Sequence, residues 1–428
     1  MNAGGASLAR RSEAKEAVPR LSSSYKEELA WLYSLQRFGI KLGLETAHRL
    51  IAALNLDLSG ARVIHVAGTN GKGSVCAMSE SVARAANYRT GLFTSPHLIS
   101  FRERIRVDGE MISENAVASG LTRIRALVAE WDGPPTFFEI ATALALQHFA
   151  AARVDVIILE TGLGGRLDST NAVTSSVSVI TPIALDHQQW LGNTLQEIAA
   201  EKAGIIKRQT PVISAPQLPE AGRVIQARAR ECDAPLQVIR ENYEKSPIGL
   251  RGSHQKQNAA LAVAALHAAK LELDKSAIAR GLASVEWPAR FQCWDERTVI
   301  DGAHNPGAAR VLAQTWKEVF GEQRATLILA VLNDKDIEGI IKALASIANE
   351  VLLPSIRSER ALPPEALAEA LSTITPKLHH FITPSVEDAL KVARTKSDPI
   401  LLTGSLHFAG EALAHLRGKL AAFEECAQ

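Results

Sequence analysis

The sequence is short of cysteine, net charge and long apolar runs, and each shortage removes a class of protein. Its four cysteines, Cys76, Cys232, Cys293 and Cys426, are scattered over 428 residues with no CxxC pair. Such spacing argues against a zinc site or a disulfide framework and suits a reducing cytoplasm. Lys and Arg number 47 against 46 Asp and Glu, a net charge of +1. With charge so balanced, neither nucleic acid nor an anionic membrane surface is expected as the main partner. No apolar run approaches the ~18 residues of a membrane span. Residues 1–24 carry arginines without an apolar core, so they are not a secretory signal and read as a disordered arm.

What remains is an ordinary globular composition, 46% hydrophobic and 22% charged, long enough for two or three domains. From Tyr25 onwards strand and helix signals alternate. "ARVIHVAG" reads as a strand, and "SVCAMSESVARAANY" sets Val75, Met78, Val82 and Ala86 on one helical face. "VDVIILE" and "SSVSVIT" are continuous apolar runs, the mark of parallel strands buried on both faces. Helical stretches at Thr136–Ala152 and Leu195–Ala203 lie among them, which predicts an α/β fold with a largely parallel sheet. Strands "RTVID", "ATLILAVL", "NEVLLP" and "PILLTG" form a second series, with helices beginning near Pro306, Lys335, Pro363, Ser385 and Phe408. The expected division is an arm over 1–24, a phosphate-loop domain over 25–288 and a smaller Rossmann-like domain over 289–428. Pro288 breaks the helical pattern at that boundary, and the ligand site is expected in the cleft between the two domains.

The run Gly68-Thr69-Asn70-Gly71-Lys72-Gly73-Ser74 follows a strand and opens a helix, as a phosphate loop does. It is two residues shorter than GxxxxGK[ST], and Gly73 stands where serine or threonine would follow the lysine. The alternative is a glycine-rich turn that only caps a helix, but Lys72 favours phosphate. A bound polyphosphate needs magnesium, which takes oxygen ligands. Candidates stand at strand ends: Thr94 and Ser95 in "GLFTSPHL", Glu160 after "VDVIIL", and Asp186 with His187 in "ITPIALDHQQWLG". Each alone is an ordinary loop residue; their shared position raises them. "NDKD" at Asn333–Asp336 mimics a guanine-reading motif with its lysine one residue out of place. It is read as a helix start capped by Asp334, which rejects GTP.

GTNGKGS, FTSPHL, RIRVDGE, ETGLGGRLDSTN, ITPIALDHQQWLG, EKAGIIK and DGAHNP stand here in the order of the folylpolyglutamate synthase family, which the chain resembles from about Leu32 to "LLTGSLHF". GTNGKGS alone also fits Mur ligases, but only some 45 residues separate the arm from Gly68, too few for their preceding domain.

The resemblance implies a Mur-ligase-like fold and a cytoplasmic, ATP-dependent amide ligase. Its reaction would join L-glutamate to dihydropteroate and to the γ-carboxylate of folates through an acyl phosphate. Thr69, Asn70, Gly71, Lys72, Gly73 and Ser74 would hold ATP, with Asn258, Arg290 and Asp301 on its adenosine side. Ser95, Glu160 and His187 would hold Mg2+, and Lys202 matches a lysine that the family carbamylates. Lys72, Lys202 and His187 form the implied catalytic set. Without the resemblance, Lys202 beside Glu201 reads as a solvated surface pair, Asn258 as a helix cap and Asp301 as a turn residue. The pterin would meet Gly39, Ile40, Lys41, Leu42, Thr136, Phe137, Phe138, Arg166, Leu167 and Asp168. Glu139 reads as supporting structure. One departure stands out: Ala289 replaces the glycine that usually precedes the arginine at position 290. A monomer is expected, since two domains sharing a cleft need no partner chain. The alternatives are a folylpolyglutamate synthase without dihydrofolate synthesis, a Mur-type ligase with another acceptor, and an ATP-driven protein switch.

Overall fold

The computed structural model describes residues 24–38, 43–420 and 423–424. The expected arm and the pterin candidates Gly39, Ile40, Lys41 and Leu42 fall outside the described residues.

Two separate sheets organise the chain. The first contains β1 (Arg62–Ala67), β2 (Thr90–Phe93), β3 (Ile105–Val107), β4 (Glu110–Met111), β5 (Val156–Glu160), β6 (Val177–Ile180), β7 (Val212–Ser214) and β8 (Leu236–Val238). Their order is β4-β3-β2-β5-β1-β6-β7-β8, parallel except for the edge pairings of β3 with β2 and β4. The apolar strand runs are buried on both faces, and their period of two divides them between two cores. Ile64, Val66, Val156 and Ile158 pack under the helices Lys72–Ala85, Ser253–Ala268 and Lys275–Ser284. Val63, Ile157 and Leu159 face the opposite core, with the helices Glu45–Leu54, Glu114–Val128 and Phe137–Ala152. The helix Lys72–Ala85 is not amphipathic: Gly73 through Ala83 are buried on every side, wedged between this sheet and the helices Ser253–Ala268 and Lys275–Ser284.

The second sheet contains β9 (Gln292–Cys293), β10 (Thr298–Ile300), β11 (Ala325–Leu329), β12 (Ala348–Pro354), β13 (His379–Thr383) and β14 (Ile400–Thr403). Its order is β13-β12-β11-β14-β10-β9, with only the short β9 antiparallel. The chain crosses between sheets through Trp287–Arg290. This is the α/β, Mur-ligase-like architecture, a phosphate-loop sheet followed by a smaller Rossmann-like one.

Topology explains where a site forms. β2, β5, β1 and β6 are adjacent, so the loops leaving their C-terminal ends are neighbours even though sequence separates them. In the second sheet β11, β14 and β10 are likewise adjacent. One correction concerns the "NDKD" helix. It spans Ile337–Leu344, and its cap is Asp336, which accepts the Gly339 N–H at 2.9 Å. Asp334 is instead held by Lys335 and Arg360 at 3.5 and 3.1 Å, which removes it from the helix end.

Candidate active site

A cleft of about 520 Å3 lies where the strand ends of the two sheets face each other. Its walls include Thr69, Asn70, Gly71, Lys72, Gly73, Ser74, Ser95, Glu160, His187 and Lys202 from the first sheet's loops. Asn258 and Arg290 complete that side, and Asp301 with His304 enters from the second sheet. The structure therefore gathers these nucleotide, metal and catalytic candidates into one space, while Thr94, the remaining strand-end candidate, lies outside its walls.

The glycine run leaves β1 and turns directly into the helix Lys72–Ala85. Gly71 sits at φ 91°, and a Cβ there would lie 2.8 Å from Asn258 Oδ1, so only glycine lets the helix Ser253–Ala268 close on the loop. Asn258 lies within that helix, buried, and donates to Gln255 Oε1 at 2.9 Å; it is not a helix cap. The Thr69 and Asn70 amides are already taken by Pro182 O, at 3.0 and 3.2 Å. First-turn amides of Lys72, Gly73 and Ser74 have no acceptor within the helix and remain for an anion. Lys72 Nζ rests on Thr69 O at 3.3 Å, a bond easily traded for a phosphate oxygen.

At the end of β5, Glu160 accepts the Ser95 N–H at 3.2 Å, and burial pushes its pKa up. The Ser95 hydroxyl is buried without a hydrogen-bond partner. An orphaned hydroxyl beside a buried carboxylate is expensive unless something else binds there. A hard cation fits: it would take the hydroxyl oxygen and the carboxylate, with His187 as a nitrogen donor. Burial, with Lys335, His304 and Lys72 nearby, holds His187 down to about 4 against the pull of Asp186, so the imidazole is neutral at pH 7. Among the described residues no trio of His, Cys, Asp or Glu is set to enclose a metal alone. The mixed Ser-Glu-His set leaves room for phosphate oxygens and water.

Lys202 is not a solvated partner of Glu201. It is buried, donating from Nζ to Gly68 O at 2.8 Å, whereas Glu201 turns outward to Arg166 at 2.8 Å. Burial, then the charge of Lys72, lowers its pKa to about 7. Arg290 Nη1 donates to Ala289 O at 2.9 Å. Asp301 is more than a simple turn residue: it accepts Phe291 N at 2.7 Å and Ala303 N at 2.8 Å, fastening the crossover to β10.

The described pterin candidates do not line this cleft. Thr136 caps its helix in a reciprocal box with Glu139. Phe137 is core, stacked on Tyr33 and edge-on to Phe101. Phe138 packs against Gly162, and Arg166 and Leu167 form a surface turn. The Asp168 carboxylate is occupied within its own loop: Oδ2 accepts Gly162 N and Leu163 N, and Oδ1 accepts Thr170 N and Oγ1. Because Gly162 and Leu163 do line the cleft, Asp168 shapes its wall from behind.

Asp186 is among the strand-end candidates, but sequence reasoning missed its partners from the second sheet, Lys335, His304 and Asn305. Asp186 accepts Lys335 Nζ and His187 N at 2.9 Å each through Oδ1, and Asn305 Nδ2 at 3.2 Å through Oδ2. His304 Nε2 stands 3.5 Å away. Although burial opposes ionisation, these partners hold the Asp186 carboxyl well below the usual range. Its strand-end position was a visible signal; nothing local in the sequence pointed to Lys335.

Residues 289–406 match the Mur ligase, glutamate ligase domain. The chain is 36% identical over 432 residues to dihydrofolate synthase/folylpolyglutamate synthase of Bacillus subtilis, covering 92% of this chain and all of that protein. The Escherichia coli protein of the same name is also 36% identical, over 91% and 95% of the two chains. Among solved structures, E. coli FolC with DHPP and ADP superposes with TM-score 0.83 at 34% identity, covering 94% of this chain and 100% of that one. The Yersinia pestis bifunctional enzyme with AMPPNP and Mn ion gives 0.83 at 32%, with the same coverage.

Proposed function

The chain belongs to the dihydrofolate synthase/folylpolyglutamate synthase family, and from that premise we propose that it joins L-glutamate to dihydropteroate and to the γ-carboxylate of folates, using ATP. A carboxylate oxygen of the acceptor attacks the γ-phosphorus; the bond to the β-phosphate bridging oxygen breaks, giving an acyl phosphate and ADP. The glutamate amine then adds to the activated carbonyl, inorganic phosphate leaves and the amine loses a proton.

In this reading the chain supplies placement and charge. Lys72 and the amides of Lys72, Gly73 and Ser74 receive the phosphates. Asn258 and Arg290 orient the nucleoside side, and Asp301 keeps the crossover in register behind Arg290. Ser95, Glu160 and His187 would hold Mg2+, whose charge offsets repulsion between the acceptor carboxylate and the triphosphate. Lys202, near neutrality as an amine, is suited to add CO2 and release a proton, leaving an anionic carbamate in the cleft. Carbon-13 NMR under labelled CO2 would show that carbamate, and Lys202→Met would remove it. The loop 162–170, with Phe138 beside it, would take the pterin, and the phosphate-loop domain would end at residue 288. One chain builds the whole cleft, which supports a monomer. No helix among the described residues is long and apolar enough to cross a membrane. Two buried free thiols, Cys76 and Cys232, fit a cytoplasmic setting.

The observation that carries this reading is the shared cleft, with Lys72, the orphaned Ser95 hydroxyl, Glu160 and His187 on its walls. The test is phosphate release from ATP with dihydropteroate and glutamate, supplied singly and together, then repeated with tetrahydrofolate. Release that requires both substrates, and a product heavier by one glutamate, is expected. Release indifferent to them would leave an ATP-driven switch. Activity with tetrahydrofolate alone would reduce the function to polyglutamylation.

A further inference from the structure

An acyl phosphate must be kept from water, so the proposed reaction requires the two sheets to close before it is made. The Asp186 cluster bridges the two sheets. Asp186 and His187 belong to the loop after β6, whereas Lys335, His304 and Asn305 belong to loops of the second sheet. The side chains of Asp186 and Lys335 are only 8% and 6% exposed, so their 2.9 Å contact is shielded from water and salt. Lys335 is held from behind by Asp334, which Arg360 fixes in turn. Asn305 extends the contact to the phosphate loop, donating to Asn70 Oδ1 at 3.0 Å and accepting from Asn70 Nδ2 at 3.4 Å.

The same Asp186 oxygen that meets Lys335 also accepts the His187 N–H. His187 has φ 50° and ψ 39°, a left-handed conformation that a side chain other than glycine keeps only when its surroundings enforce it. One oxygen thus joins the second sheet to the backbone that aims the His187 ring. We propose that Lys335 is a positioning residue which, by pairing with Asp186 across the cleft, fixes His187 for the metal–nucleotide complex, so that this site is completed only in the closed molecule. The inference rests on the ligase reading for its purpose but not for its test. It gives the "NDKD" segment a use that its likeness to a guanine motif concealed.

The test measures Mn2+ binding to the full chain loaded with AMPPNP, by electron paramagnetic resonance, without folate or glutamate. Lys335→Met, Asp186→Asn, the double variant and Lys335→Arg are compared, with thermal melts as a check on folding. Each uncharged single variant should weaken Mn2+ binding about 10- to 100-fold, the usual effect of removing a group that orients a metal ligand. The double variant should be no worse than the weaker single, and Lys335→Arg should recover part of the loss. Lys335→Met should also give a larger radius of gyration in solution scattering. Mn2+ affinity within about twofold of the parent in Lys335→Met, or losses that multiply in the double variant, would overturn the proposal. A chain that binds Mn2+ as expected yet makes no amide product would instead sink the ligase reading and leave the lock standing.

Discussion

Ala289 shows how a single residue can be strained without being costly overall. It stands at φ 56°, fully buried, in a region of backbone space that favours glycine. Its N–H donates to Gln292 Oε1, and its carbonyl accepts Gly302 N and Arg290 Nη1, so the crossover cannot relax out of this conformation. Ala289→Gly would relieve about 1–2 kcal/mol of left-handed strain. Against that stand about 0.8 kcal/mol of methyl burial and 0.4–1 kcal/mol of unfolded-state flexibility. The terms cancel, so stability should stay within about 0.5 kcal/mol of the parent. Ala262→Gly, equally buried but helical, should cost about 1 kcal/mol or more in the same urea melts. Lys202 is the reverse case, a useful residue that destabilises. Its pKa is lowered to about 7, so between its ordinary value of 10.5 and 7 the unfolded chain binds a proton that the folded one refuses. In CO2-free buffer Lys202→Met should therefore be inactive yet more stable at pH 7, by about 1–4 kcal/mol. That advantage should shrink as pH rises towards 10; a constant gap would contradict the lowered pKa. Lys72, Ser95, Glu160 and His187 were legible because glycine-lysine runs and strand ends are local signals. The burial of Lys202 was not, since nothing in "EKAGI" shows which way its helix faces.

At the level of elements, the helix Lys72–Ala85 is placed by a neighbour that carries no side chain where they meet. Gly281 lies where the helix Lys275–Ser284 crosses it: a Cβ there would stand 2.5 Å from Val82 Cα, and Ser81 Oγ donates to Gly281 O at 2.7 Å. A methyl against backbone can only be admitted by moving a helix. Gly281→Ala should cost about 1–3 kcal/mol of stability and weaken nucleotide binding, because the displaced helix carries the phosphate loop. Unchanged ADP affinity by calorimetry would show that the loop is positioned from elsewhere. The core strands were readable because parallel strands buried on both faces are continuous apolar runs. The edge strand β13 was not, because His379, Phe381 and Ile382 remain exposed and break that pattern. The helix near Lys335 was read two residues early because Asp334 and Asp336 are equally good caps in sequence. Only the ion pairs of Asp334 decide between them.

For the whole molecule, the division into two α/β units could be read from the sequence, but the contacts across the cleft could not, because Asp186 and Lys335 lie on loops of different sheets, far apart in the chain. The same packing sets the response to acid. His65 in β1 is fully buried with Nε2 on Thr170 Oγ1 at 2.8 Å, and burial, helped by Lys207, lowers its pKa to about 3. His254, facing Thr315 across the cleft, is held to about 4 by burial, and burial likewise pushes His97 well down. These groups stay neutral in the folded chain while their unfolded counterparts protonate below about 6.5. Their share of stability is therefore complete above pH 6.5 and lost as pH falls towards the folded values. Glu160, Asp168 and Asp301 act oppositely: burial raises their pKa, so they add stability as pH falls through the raised value, until the unfolded carboxylates also protonate near pH 4. Between pH 6.5 and 5 each histidine contributes a slope of up to about 1.4 kcal/mol per pH unit, which these carboxylates offset in part. Urea melts at pH 7.5, 6.5 and 5.5 should show a fall over both steps, the first shared with Lys202 as it takes up its proton near 7 and the second carried by the histidines. His65→Leu should flatten the second fall even if it lowers stability at pH 7.5. An equal fall in the variant would show that the acid response does not come from this buried imidazole.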